Sequence, residues 1–265
     1  MAELSVVIIT RNEEQNILRC LASVKPLAGE VVVVDSGSSD HTMELCREAG
    51  CRVFSREFDG YGRQKQFAVD QAMNDWVLSI DADEVISPEL QEEIRLLMKA
   101  MPQANSQANS QATTDPLSPA GYRIPFALHF MGRILKHGGV GNEYHLRLFD
   151  RKQGGFTTVP VHEGVEVNGP TGTLKGRVIH YSYRNISHHF EKINTYTSQA
   201  AEGYVKRGKH FAKLWAVVKF PSSFMAFYFL KLGFLDGYPG FMWSFLAAVY
   251  ATLKVAKTIE LNSGS

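Results

Sequence analysis

The chain has 265 residues, with 28 Lys or Arg against 27 Asp or Glu and a formal net charge of +1. That balance gives no overall pull toward nucleic acid, so any basic surface must come from local clustering. Its length and 45% hydrophobic content allow a sizeable core, either one large α/β domain or a domain with an appendage. Cys20, Cys46 and Cys51 lack C-x-x-C spacing and sit in segments that read as core. They point to buried free thiols in a reducing cytoplasm. Met1-Ala2-Glu3-Leu4 runs straight toward a strand with no basic leader, which predicts a cytoplasmic catalytic part.

Leu4 to Thr10 is a continuous β-branched run, the pattern of a parallel strand buried on both faces. Asn12 is placed to cap the next helix, whose apolar face is Ile17, Leu18 and Leu21. Val31 to Val34 is a second buried strand ending at Asp35. The turn Ser36-Gly37-Ser38-Ser39-Asp40 then leads into a helix that stops at Gly50, with a short strand around Val53. A helix over Arg63 to Asn74 precedes the strand Trp76 to Asp81, and Ser87-Pro88 opens another helix. The order strand–helix–strand implies a parallel sheet, and residues 1–100 read as one half of a domain.

Residues 101–120 collapse into Gln, Ala, Asn, Ser and Thr and predict a flexible loop without chemistry. Residues 121–200 form a second half rich in Gly, His, Arg and aromatics, with strands at Tyr122–Leu128, His145–Phe149 and Arg177–Ser182. Residues 201–265 hold two strongly apolar and aromatic runs: Phe211 to Leu230 is interrupted by Lys213, Lys219 and Pro221, and Phe241 to Val255 has only about fifteen apolar or small residues before Lys254, short of the roughly 20 of a span. They predict amphipathic helices lying in a membrane interface, with Tyr228, Phe229, Trp243, Phe245 and Tyr250 at headgroup depth. Core helices or an oligomer interface are the alternative.

The chemistry concentrates where strands end. Asp81-Ala82-Asp83 closes an apolar strand, and alternation of strand side chains aims both carboxylates one way. Two such carboxylates repel unless a cation or a hydrogen-bonding ligand lies between them, and hard oxygen donors suit Mg²⁺ or Mn²⁺. Thr10-Arg11-Asn12-Glu13 and Asp35-Ser36-Gly37 end two further strands, and Asp59-Gly60-Tyr61-Gly62-Arg63-Gln64-Lys65 delivers cations to a helix start. Ligands of open parallel sheets bind at these carboxyl ends. No G-x-G-x-x-G follows the first strand and no P-loop occurs.

The blocks Ser5–Glu14, Val32–Asp40 and Leu78–Glu84 resemble the signature blocks of family 2 glycosyltransferases of the GT-A fold. Arg147–Asp150, Val161–Val165, Val178–Ser182 and Leu230–Gly237 look like the lipopolysaccharide-core β-glucosyltransferase branch, the WaaE-like group. The resemblance implies an α/β, Rossmann-like GT-A domain with a mostly parallel central sheet and C-terminal amphipathic helices. It also implies an inverting, metal-dependent transfer from a UDP-sugar, with glucose the leading donor, to a glycolipid at the inner face of the cytoplasmic membrane. By the same resemblance Thr10, Asn12, Glu13 and Asp35 hold the nucleoside, Arg63 and Lys65 face ribose or phosphates, Asp81 approaches the ribose, and Asp83 ligates the metal.

Inversion is a single in-line displacement, so one general base suffices. Glu163 is the choice for that base, with His162 its close competitor. His180 ends an apolar strand and is either a third metal ligand or a core histidine, while Arg147 contacts phosphate or pairs with Asp150. Two rivals are a sugar-nucleotide nucleotidylyltransferase, which would be expected to carry a Gly-rich loop after the first strand, and a non-catalytic, membrane-tethered binding protein that could dispense with Glu163.

Overall fold

The structure is a computed structural model in which residues 3–101, 118–141, 143–157 and 164–263 are described. These divide into two compact units, Met1–Phe126 with Glu143–His180 and Ala127–Asn142 with Tyr181–Ser265.

The first unit is built on β1 (Leu4–Thr10), α1 (Ile17–Val24), β2 (Glu30–Asp35), α2 (Thr42–Glu48), β3 (Arg52–Ser55), α3 (Tyr61–Asp70) and β4 (Trp76–Asp81). There follow β5 (Glu84–Ile86), α4 (Pro88–Ala100), β6 (Gly121–Phe130), whose last residues belong to the second unit, β7 (Arg133–Ile134), which lies wholly in the second unit, and β8 (Tyr144–Asp150) of the first. Four short strands complete the set: β9 (Gly154–Phe156), β10 (Val165–Val167), β11 (Thr171–Thr173) and β12 (Val178–His180). The sheet order is β3-β2-β1-β4-β8-β6-β12-β5. β3, β2, β1 and β4 are mutually parallel, and β8 joins β4 antiparallel.

The continuous apolar runs of β1, β2 and β4 are explained by cover on both faces. Val6, Ile8, Val31, Val33, Leu78 and Ile80 pack in one cluster with residues of α1, α2 and α4. The intervening Val7, Val32, Val34 and Val77 pack in another with Ala68 and Val69 of α3. Such strands have no wet face and so no alternation. Ser87 caps α4 as the sequence predicts, its Oγ accepting from Leu90 N at 3.2 Å with Pro88 in the first turn. Asn12 does not cap α1, which begins only at Ile17. It takes a left-handed φ of 55° and ties two loops together instead.

The second unit contains α5 (Ile186–Lys206), α6 (Lys213–Met225) and α7 (Gly237–Ser263). Between α6 and α7 the chain makes a π-turn at Ala226–Leu230 and a 3₁₀ turn at Gly233–Asp236. Its core joins Phe130, Leu135, Ile193 and Leu246, with Trp243, Phe245 and Tyr250 packed against them. These last three aromatics are partly buried and pack against this core. α7 is apolar around most of its circumference, so its sequence marks no outward face. No helix among the described residues is long and apolar enough to cross a membrane.

Candidate active site

Three loops meet at the carboxyl edge of the parallel sheet. Asn12 Oδ1 accepts from Ser39 N at 2.8 Å, Asn12 N donates to Ser38 Oγ at 2.8 Å, and Glu13 N donates to Thr42 Oγ1 at 2.8 Å. The loops after β1 and β2 are thereby stitched together, with Asn12 and Glu13 serving as the stitches. Glu13 Oε2 in turn accepts from Asn16 Nδ2 at 2.7 Å. Asp35 is fully buried, and its carboxylate accepts from Gly37 N at 2.9 Å, Ser38 N at 2.8 Å and the Ser38 hydroxyl. It is committed to its own turn, while the next residue, Ser36, is half-buried and accepts from Gln64 Nε2 at 3.0 Å.

Two polar atoms in this neighbourhood lack partners. Thr10 Oγ1 and Gln64 Oε1 are buried with no hydrogen-bond partner among the described residues. Buried acceptors in that condition are costly and call for a ligand or solvent partner. Gln64 was visible in the glycine turn, but nothing in its sequence position separates it from a surface glutamine.

The Asp81–Asp83 segment differs from the sequence expectation in one respect. β4 ends at Asp81, and Ala82 and Asp83 form a turn before β5. Strand alternation therefore does not govern Asp83, and the two carboxylates go to different partners. Asp81 receives Lys65 Nζ at 2.7 Å and Arg147 Nη2 at 3.5 Å. Burial pushes its carboxyl up, but the Lys65 and Arg147 charges outweigh this and hold it well below the usual carboxylate range. Asp83 Oδ2 lies 3.2 Å from His180 Nε2. Burial disfavours the charged imidazole, yet the bond to Asp83 and the charges of Glu84 and Asp81 raise His180 above its ordinary value.

Glu84 completes the cluster. It is 1% exposed, its Oε2 accepts from Asp81 N at 2.8 Å, and its Oε1 accepts from Arg147 Nη2 at 3.2 Å. Its backbone pairs with that of His180 across β5 and β12. Burial, strengthened by Asp81, raises its carboxyl despite Arg147. Arg147 thus pairs with Asp81 and Glu84. Asp150 instead accepts from Lys152 N and Gln153 Nε2 within its own turn. Arg63 stands apart, exposed and 3.9 Å from Asp59. Glu163 and His162 lie outside the described residues.

The donors left at this edge include one hard oxygen ligand suited to a divalent ion, Asp83. With Asp81 taken by two cations, Asp83 and His180 could offer one carboxylate and one imidazole, the carboxylate being the hard donor that suits Mg²⁺ or Mn²⁺, with substrate oxygens and water providing the rest. Among the described residues no group of three or more His, Cys, Asp or Glu side chains could hold a metal by itself. His188 and His189 form no chelating pair. His189 is buried and stacks on Tyr183 with ring centroids 3.7 Å apart.

A mostly parallel α/β sheet of this order, with an acidic turn facing cations at its carboxyl edge, is the GT-A architecture of glycosyltransferases. The chain belongs to glycosyltransferase family 2, whose model, "Glycosyl transferase family 2", matches residues 5–155. Membership sets aside the nucleotidylyltransferase and the purely binding readings. An uncharacterized glycosyltransferase of Rickettsia typhi is 32% identical over 99% of this chain and 88% of its own length. The lipopolysaccharide core biosynthesis glycosyltransferase LpsC of Rhizobium meliloti is 31% identical over 98% of this chain and 93% of its own. Glucosyl-3-phosphoglycerate synthase from Mycobacterium tuberculosis, crystallised with Mn²⁺, UDP and phosphoglyceric acid, is 32% identical over only 32% of this chain and 34% of its own, with a TM-score of 0.30.

Proposed function

We propose that this glycosyltransferase moves a hexose, glucose foremost, from a UDP-sugar to a lipopolysaccharide-core or related glycolipid, with inversion, at the inner face of the cytoplasmic membrane. The observation that carries the reading is the convergence of Lys65, Arg147, Asp81, Asp83 and His180 at one sheet edge. The two cations keep Asp81 ionised and able to accept from a ribose hydroxyl. Thr10, Asn12 and Glu13 belong to the loop that would border the nucleoside, with the orphaned Thr10 and Gln64 oxygens available to donors on it.

Asp83 and His180 would hold a Mg²⁺ or Mn²⁺ ion, which when bound neutralises charge on the departing diphosphate. The acceptor hydroxyl needs a base opposite the leaving group, and Glu163 takes that role on the family resemblance. Likeness to LpsC supports the acceptor class.

A panel of nucleotide sugars, monitored for nucleotide release with and without crude lipopolysaccharide core, tests the reading. UDP-glucose should release UDP only when core is present. Release indifferent to the acceptor would remove the glycolipid, and preference for another donor would remove glucose. Glu163→Gln should lower turnover by roughly 10²–10⁴-fold with donor affinity retained. An equal fall in donor affinity would make Glu163 a binding residue.

A further inference from the structure

Among the large apolar side chains exposed in the second unit, ten lie between residues 214 and 235. In α6, Leu214 is 70% and Val217 70% exposed, joined by Trp215, Val218 and Met225. Leu214, Val218, Pro221 and Met225 recur at steps of three and four, which places them in one stripe along the helix. The opposite side is spent on packing: Phe220 and Phe224 meet Phe245 and Phe241 of α7 edge-on, and Ser223 is buried. The stripe runs on into the π-turn and the 3₁₀ turn, where Leu230 is 81% exposed and Phe229, Leu232, Phe234 and Leu235 are also outside. Contiguous apolar surface of this kind is uncommon on a protein face that meets only water.

Charge decides the occupant. Between Glu202 and Asp236 the chain has no acidic residue and six basic ones: Lys206, Arg207, Lys209, Lys213, Lys219 and Lys231. Lys219 Nζ lies 5.8 Å from the centre of the Trp215 ring, and Lys231 Nζ lies 4.4 Å from that of Phe227. Their cationic ends therefore sit beside aromatic rings of the same stretch, the arrangement of side chains at headgroup depth. A second protein copy would bring the same positive charge against itself, whereas an anionic leaflet complements both the charge and the apolar surface.

We infer that the outer stripe of α6 and the turns 226–235 form an interfacial surface that inserts its apolar side chains into an anionic phospholipid leaflet. This rests on the glycolipid reading above and names the surface by which the enzyme would reach its acceptor.

Sedimentation of the full chain with vesicles of phosphatidylcholine and phosphatidylglycerol, against phosphatidylcholine alone, tests it. Binding should need the anionic lipid, weaken with salt and survive it in part. Leu214→Ser with Leu230→Ser should lower partitioning by about tenfold for each leucine, while Met73→Ser, an exposed apolar residue of the first unit, should leave it unchanged. Lys213→Glu with Lys219→Glu should abolish the preference for anionic vesicles. Circular dichroism and UDP affinity of each variant, unchanged from wild type, establish that the fold and the nucleotide site persist. They also report on the transferase reading separately. Wild-type protein that ignores anionic vesicles, or dimerises through this face and becomes monomeric in the leucine variant, overturns the inference. So does equal loss of binding in Met73→Ser.

Discussion

Asp35 and Asp81 both end parallel strands of one sheet, and they are satisfied in opposite ways. Asp35 takes its hydrogen bonds from Gly37 and Ser38, two and three residues on, and is fully buried by its own turn. Asp81 takes its partners from Lys65 and Arg147, 16 and 66 residues distant, on other elements. A carboxylate held by its own backbone shapes a loop, and exchanging those bonds would dismantle it. One held by remote side chains can trade a partner for a substrate group while the strand stays in place. The same distinction separates Asp83, bonded to His180 across 97 residues, from the self-contained Asp35 turn.

The sharpest test of the contrast is Asp83→Ala. It should abolish transfer, by more than about 10³-fold if the lost group is a metal ligand, and leave thermal stability nearly unchanged because no core volume is removed. Near-wild-type turnover, undiminished by chelator, would remove the metal assignment. Next in size is Arg147→Met, which leaves the buried Glu84 carboxylate and the half-buried Asp81 without their shared guanidinium. A loss of about 3–5 kcal/mol in urea unfolding is expected, and a change below about 1 kcal/mol would mean that Asp81 and Glu84 are satisfied without it.

Asp35→Asn retains one acceptor oxygen and should cost about 1–3 kcal/mol, with nucleotide affinity falling only as far as the fold does. A loss of affinity beyond tenfold at unchanged stability would instead make Asp35 the reader of the base.

His189 supplies a third case, a buried polar group held by neither loop nor remote charge. Its Nδ1 has no hydrogen-bond partner among the described residues, and the ring is sandwiched by aromatic neighbours. Burial first, then the charges of Lys192 and His188, push its pKa from 6.5 down to about 4. The folded state therefore binds fewer protons than the unfolded one between those values. Stability should be fully present above pH 6.5 and be lost as pH falls toward 4, with a slope of at most about 1.4 kcal/mol per pH unit. His189→Phe keeps the stacking and should flatten that slope in urea titrations at pH 5 and 7. An unchanged slope would assign the acid sensitivity elsewhere.

The parallel strands were legible because Val6 to Ile9 and Val31 to Val34 are apolar at every position, a pattern that a sheet covered on both faces requires. The acidic turn was legible from its residue types. Glu84 was not, since one more acid after Asp83 reads as solvated turn, and only the tertiary fold brings Arg147 onto it. Arg147 itself looked equally suited to Asp150, three residues away, because sequence distance favours local pairs. On α7, a helix apolar on nearly all sides carries no periodicity to say that Trp243, Phe245 and Tyr250 pack against the core of the second unit. The exposed stripe of α6 had the same composition, and Pro221 obscured its period.

Asp236 carries a consequence for synthesis. Its buried carboxylate accepts from Lys136 N at 2.9 Å and His137 N at 2.8 Å, and Trp243 Nε1 donates to Gly138 O at 3.2 Å. The segment around His137 therefore leaves the ribosome about a hundred residues before the groups that fix it. Strands β1 to β4 can pair soon after residue 81 emerges, but Leu135 and Phe130 must wait, apolar and uncovered, until α7 is translated. A nascent chain halted between these two points is a natural client for a chaperone. Any shortened protein ending near residue 205 would preserve that unfinished state permanently.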